Sequence, residues 1–121
     1  MFIASLCIIL ISGCSKSSEF KIKDLAKTDI DTVSEIHMNQ VVTLLKALTE
    51  KLYKKNPYEL QKNQGQTIES RINQIFICPI GKKHEELEYK DSTDAILLGF
   101  EPEYKGDRIF ATIYGLYTMM Y

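Results

Sequence analysis

Apolar residues recur at helical spacing through the middle of the chain. Val41, Leu44, Leu45, Leu48 and Leu52 recur at helical spacing and make one continuous stripe, which predicts an amphipathic helix. Lys46, Glu50, Lys51, Lys54 and Lys55 lie mainly outside that stripe, and Glu50 stands four residues before Lys54, the favourable order for an ion pair on a helix surface. Thr32 followed by Glu35 has the form of a capping box, so the helix is expected from about Asp31 to Lys55. Asn56-Pro57 stops it and starts a short second helix through Lys62, with asparagine as cap, proline at the first helical position and Glu59 completing a second box-like pattern. Thr67 opens a third helix with Ile68, Ile72, Ile75 and Phe76 on one face, ended by Cys78-Pro79-Ile80-Gly81.

After the charged connector Lys82 to Lys90, Ser92 or Thr93 is placed to cap a helix containing Ala95, Ile96, Leu97, Leu98 and Phe100. Pro102 and Gly106 then bracket a loop. In the last segment, Asp107 to Tyr121, one stripe holds Phe110, Tyr114, Tyr117 and Tyr121, and its neighbour holds Ile109, Ile113, Leu116 and Met120. Ala111, Gly115 and Thr118 form a third face, small enough to let another helix approach closely. A helix that is apolar on most sides belongs in the middle of a fold. Ile, Thr and Tyr also favour sheets, so a strand is the alternative here, but the three-sided pattern favours a helix. The elements add up to an all-α domain, a small irregular bundle of four or five helices. The last helix ends at Tyr121 without a glycine, proline or basic cap, so the bundle is expected to be incomplete at its C-terminus.

Phe2 to Ile11 is a different kind of stretch: ten residues without a charge. As a helix it would span about 15 Å, half a bilayer's hydrocarbon core, too short to anchor by crossing. It ends in Ile11-Ser12-Gly13-Cys14, an apolar residue, two small ones and a cysteine. A short apolar region followed by small residues is the pattern of an export signal. With the cysteine in place, these residues resemble the lipobox of bacterial envelope lipoproteins. That resemblance implies cleavage between Gly13 and Cys14, acyl chains (palmitate among them) on Cys14, and attachment to a membrane through the N-terminal lipid. Ser15 follows where retention at the inner membrane often shows aspartate, so the resemblance implies the periplasmic face of the outer membrane rather than the inner membrane. The usual signal starts with a basic segment, and Met1 leads straight to Phe2, so the true start is expected upstream or the frame begins at an internal methionine.

The expected organisation is a signal peptide over 1–13, a lipidated cysteine and flexible tether over 14–28, and a helical domain over 29–121. The tether reading rests on Lys16, Ser17, Ser18, Glu19, Lys21, Lys23 and Lys27 with few bulky apolar residues between them. Removing 13 of the 121 residues leaves 108, the size of one domain. The helix pattern and the Asn56-Pro57-x-Glu59 turn also resemble small uncharacterised helical lipoproteins of Gram-negative bacteria, a likeness that carries no function for any residue.

Composition changes this picture little. Hydrophobic residues make up 45 % and charged ones 26 %, ordinary for a globular domain. Fifteen basic and sixteen acidic side chains leave a net charge of −1, so no global field favours nucleic acid, and none is expected as a partner. Of three cysteines, Cys7 would leave with the signal and Cys14 would carry lipid. Cys78 then stands alone, with no partner for an internal disulfide, and is expected to be buried and inert.

Candidate chemistry is sparse, and no catalytic residue, metal ligand or cofactor is assigned. Asp29, Asp31, Glu35 and His37 are close in sequence, but a calcium loop needs glycine at its sixth position, where Ser34 stands. Capping and solvation account for the acids, and His37 is expected to be partly buried at the edge of the long stripe. His84-Glu85-Glu86 lacks the second histidine of a zinc helix. A Cys78 thiol beside His37 or His84 would need the fold to bring them together. Tyr114, Tyr117 and Tyr121 are the best remaining candidate for a binding surface, against the simpler expectation that they are core. The leading expectation is a lipid-anchored envelope protein with a structural or interaction role and an envelope protein as partner. The alternative is a periplasmic ligand-binding module with a tyrosine-lined cleft between helices.

Overall fold

In the computed structural model, residues 22–121 are described, with side chains from residue 27 onward; Ile11 to Cys14, expected to be a lipobox, lie outside them. Five α-helices follow one another: α1 Ile22–Lys55, α2 Pro57–Gln61, α3 Ile68–Phe76, α4 Ser92–Phe100 and α5 Arg108–Thr118, with a 3₁₀ turn at Glu85–Leu87 between α3 and α4. Among the described residues there is no strand, and the domain is all-α, as its periodicity predicts. No helix among them is long and apolar enough to cross a membrane. Contacts divide the chain after Val33, and Ser34–Tyr121 is a compact unit by itself.

Within that unit α5 is the centre. Ile109, Phe110, Ala111, Ile113, Tyr114 and Tyr117 are buried, joined by Ala95 and Leu98 of α4, Ile75 of α3, Leu87 of the 3₁₀ turn and Tyr53 of α1. The densest pairing is α4 against α5. The small face does what its sequence promises. A methyl group at Gly115 would come within 2.6 Å of the Ser92 carbonyl oxygen, so only hydrogen lets the two backbones meet. Gly99 makes the reciprocal contact from α4, facing Ala111 and Thr112. Thr118 Oγ1 accepts from the Ser92 N–H at 2.7 Å, holding that residue at φ 49°, a conformation side chains resist.

The caps agree in part with the sequence. Thr67 caps α3, and its box closes with Ser70. The helix expected to begin at Asp31 instead begins at Ile22, and so includes residues 22–28 of the stretch read as a tether. Thr32 does not cap it: its hydroxyl donates to the Thr28 carbonyl at 2.9 Å, a bond made inside a helix. No proline or glycine stands between Ile22 and Asp31 to interrupt the helix. At α4 the cap position falls to Asp91, with Ser92 as the first helical residue.

The long stripe of α1 is not one stripe. Leu45 and Leu52, with Val42, Thr49 and Tyr53, face the core. Val41, Leu44 and Leu48 lie on another side and are exposed, Leu44 by 69 %. The expectation of a single buried face failed because Leu44 and Leu45 are adjacent, about 100° apart on the helix, and the core covers only one of them.

Candidate functional site

The densest polar chemistry lies inside the core. Helical spacing along α3 puts Arg71 among Ile68, Ile72 and Ile75, and the side chain turns inward, 1 % exposed. Its guanidinium forms a fork on Glu86 of the 3₁₀ turn, with Nη1 donating to Oε1 at 2.6 Å and Nη2 to Oε2 at 2.8 Å. Nη1 also reaches Gln74 Oε1 at 2.9 Å. Nε lies 3.3 Å from Asp107 Oδ2, close enough for an ion pair but not aligned as a hydrogen bond. The guanidinium carbon sits 4.3 Å from the centre of the Phe110 ring, a cation–π contact.

Asp107, fully buried, is the N-cap of α5: Oδ1 accepts from the Phe110 N–H at 2.9 Å, and Oδ2 accepts from the Tyr53 hydroxyl at 2.6 Å. Glu86 is held from its other side by Asn63 Nδ2 at 2.7 Å, and its carbonyl accepts from the Tyr104 hydroxyl. The cluster thus ties α1, α3, the 3₁₀ turn and α5 to one guanidinium. Burying an ion costs several kcal/mol unless opposite charge and hydrogen bonds replace the water. Here two carboxylates, an amide and an aromatic face supply that replacement.

Protonation follows from the same geometry. Burial pushes the Tyr53 phenol far above its ordinary value, the Asp107 charge adds to the push, and Tyr53 remains a donor. Burial works against the Arg71 charge, but the Glu86 hydrogen bond and charge, with Asp107, outweigh it and hold the guanidinium above its usual value. Burial raises Asp107, opposed by the Tyr53 and Phe110 hydrogen bonds and by Arg71. Tyr104, half-buried, is pushed up to about 12, first by burial and then by Glu86. Each of these polar side chains spends its hydrogen bonds on other parts of the fold, so the arrangement acts as a clamp.

A second knot sits at the start of α5. Glu59 accepts Lys62 Nζ at 2.9 Å and the Arg108 N–H at 2.9 Å, while Lys62 also reaches the Gly106 carbonyl. The Asn56-Pro57-x-Glu59 turn therefore joins α2 to the N-terminus of α5, where a negative charge is favourable, and does not close a box on Asn56. The Asn56 amide instead donates back to the Leu52 carbonyl.

His84 also turns into the core, with a buried nitrogen, Nε2, that has no hydrogen-bond partner among the described residues. Its ring meets Phe110 and Tyr114 edge-on, each at 5.0 Å. Burial lowers its pKa from 6.5; Glu86 pulls the other way, and Lys82 and Arg71 add to the lowering. A depressed imidazole contributes stability that is whole above the unfolded value and is lost as pH falls through the folded one. The melting temperature is therefore expected to drop by a few degrees on acidification from pH 6.5, and a His84→Leu chain to show a flatter profile. Asp107 acts in the opposite sense, losing its contribution as pH rises from 3.8 through its raised folded value, and it is common to both chains, so their difference isolates the imidazole. Thermal melts of both chains across that window check this; an identical slope in the variant would remove His84 as its source.

The residues singled out in the sequence lie apart. Tyr114 is 3 % exposed, with its hydroxyl donating to the Lys82 carbonyl and its ring stacked on Phe110. Tyr117 is 7 % exposed and meets Phe76 and Tyr121 edge-on. Of the three tyrosines only Tyr121 turns most of its ring to solvent. His37, expected to be partly buried, is exposed, because it sits on the uncovered side of α1. Cys78 is a free thiol of intermediate exposure just past α3, not the buried one expected. Among the described residues no group of three His, Cys, Asp or Glu side chains is placed to hold a metal ion. Gly13 and Cys14 lie outside the described residues.

Arg71, Asp107 and Tyr53 are not singled out as site residues by the sequence, and Glu86 is weighed there only beside His84 as a zinc-helix candidate. For Arg71 a signal was present: a charged residue at a core position of an otherwise apolar stripe. Compared with known proteins, the chain matches no family model, no curated protein and no solved structure.

Proposed function

We propose that this chain is a lipid-anchored cell-envelope protein, acylated at Cys14 after cleavage from Gly13, with a structural or interaction role at the periplasmic face of a membrane, the outer one before the inner. The observation that carries the reading is Ile11-Ser12-Gly13-Cys14 at the end of the uncharged run Phe2 to Ile11. Each methylene buried in a bilayer contributes about 0.8 kcal/mol, so two or more acyl chains on one cysteine anchor durably without a spanning helix. An interaction role draws support from α1, whose surface carries Val41, Leu44 and Leu48 uncovered. The inward-facing charges, by contrast, are spent on holding the helices together.

Cys14→Ala is the test. In the native cell the variant is expected to lose fatty-acid labelling and move from the membrane to the soluble fraction, while wild-type protein has the mass of a chain starting at an acylated Cys14. A wild-type mass that retains residues 1–13 without a fatty-acid increment would overturn the proposal.

A further inference from the structure

Among the described residues, left-handed backbone outside glycine is confined to Glu88 (φ 52°), Tyr89 (φ 60°) and Ser92 (φ 49°), in and at the end of the connector from α3 to α4. Side chains resist this region, so contacts elsewhere must hold the segment down. Gly81, at φ 88°, stands near its start with open space where a side chain would be. Lys82, Lys83, Glu85, Glu88 and Tyr89 are exposed, while His84, Glu86 and Leu87 turn inward. The segment lies over the surface, pinned by these few side chains.

His84 holds it in two ways. Its ring stands perpendicular to the Phe110 and Tyr114 rings of α5, 5.0 Å from each. Its carbonyl accepts from the Leu87 and Tyr89 N–H groups, at 3.1 and 3.0 Å, and so ties the turn together. A neutral imidazole can leave Nε2 as a bare acceptor, whereas a charged one carries an N–H on both nitrogens. Protonation in place would bury a charged donor with nothing to receive it, which is costly. The charges nearby add to that cost. Arg71 of α3 already stands over the Phe110 ring at 4.3 Å, and both it and Lys82 oppose an imidazolium. Glu86 favours one, but its carboxylate is held by Arg71 and Asn63. Tyr114 of α5 stays neutral, its phenol raised by burial, and Lys83 and Asp91 pair with each other at 3.2 Å. Once the ring leaves α5 it takes its proton from water, and the backbone strain relaxes with it. Glu86 can follow, because its side chain is 27 % exposed and water is at hand to replace it on Arg71.

We propose that the connector over residues 82–91 is an acid-released strap, latched to α5 by the neutral His84 ring. It opens as a unit while α5 stays folded, and uncovers the Phe110 and Tyr114 rings when it does. The device is independent of acylation, so Cys14→Ala tests the anchor and leaves the strap intact.

Native-state hydrogen exchange of the full chain in mild detergent tests it, read one pH unit above and one below 6.5 and corrected for the intrinsic pH dependence of exchange. The Leu87, Glu88, Tyr89 and Lys90 amides are expected to share an opening constant larger than that of the Ile113 and Tyr114 amides in α5. That constant is expected to rise severalfold at the lower pH, with about tenfold per pH unit as the ceiling for one proton. Dilute urea should speed exchange in α5 and leave the strap unmoved, because strap opening exposes little surface. In His84→Leu the strap's opening constant is expected to be the same at both pH values. A single opening constant shared by strap and α5 in the wild type overturns the proposal, as does a strap constant that is flat with pH. An equal acid-driven rise in His84→Leu overturns it too.

Discussion

An Arg71→Ala chain is expected to lose about 3–5 kcal/mol of stability, because it leaves Asp107 buried with its charge unmatched and Glu86 without its fork. For a unit of this size that is a fall of roughly 15–30 °C in melting temperature, enough to leave the chain largely unfolded at 37 °C if its stability is ordinary. The loss is electrostatic as well as steric, and a second variant separates the two. Arg71→Met combined with Glu86→Gln and Asp107→Asn keeps volume while removing every charge of the cluster, and is expected to recover a good part of the stability lost in Arg71→Ala. Urea melts of this triple variant and of Arg71→Met alone, which keeps the volume but leaves both carboxylates unmatched, decide the matter: equal midpoints would mean that Arg71 acts only by filling space. Tyr53 keeps its hydrogen bond to residue 107 in the neutral triple variant, so the α1 end of the clamp stays tied.

Gly115→Val is expected to cost about 3 kcal/mol or more, with Gly115→Ala intermediate, through overpacking of the α4–α5 contact. Helix propensity alone points the other way, since alanine is favoured over glycine inside a helix by about 1 kcal/mol. The sign of the alanine variant is therefore informative. The new methyl would meet the Ser92 carbonyl oxygen and the Ile96 side chain at 2.6 Å, and the Ile96 N–H at 3.0 Å. A carbonyl and an amide cannot swing aside as a side-chain tip can. The helices must separate, and the Ser92–Thr118 hydrogen bond goes with them. A stabilised Gly115→Ala chain in urea denaturation would show that the two helices are less closely seated than this.

The arrangement has a common logic. Arg71 and Gly115 both sit where a local rule is broken: a charge in an apolar stripe, and a helix breaker in the middle of a helix. Each is explained by a neighbour distant in sequence. Glu86 is fifteen residues from Arg71 along the chain, and the Thr118 hydroxyl, which donates to the Tyr114 carbonyl, accepts from the Ser92 N–H across twenty-six. A break in a local pattern marks where tertiary contacts outweigh local preference.

Legibility differed by element. The helix of the last segment, the Thr67 cap and the small face of α5 could be read directly, because each depends on residues within a few positions of one another. The start of α1 was misplaced because a Thr-x-x-Glu pattern can occur inside a helix as well as at its end, and only the backbone settles which. Glu59 was read as part of a local box and turned out to hold Arg108 and Lys62. Of the candidate site residues, Tyr114 and Tyr117 sit inside the fold and Tyr121 at its surface, a distinction that one shared stripe does not contain.

By itself, then, the order of side chains determined that this chain forms helices, roughly where they stop, and that the last one is central, since periodicity and caps act over one or two turns. The same order carries Ile11-Ser12-Gly13-Cys14, the pattern on which the proposed anchor rests, legible without any fold. Which side of α1 is covered, and which charges go inward together, depended on the packing of helices separated by tens of residues. Burial is a property of the whole surface that the chain closes, and no local spacing specifies how much of a helix its neighbours will reach.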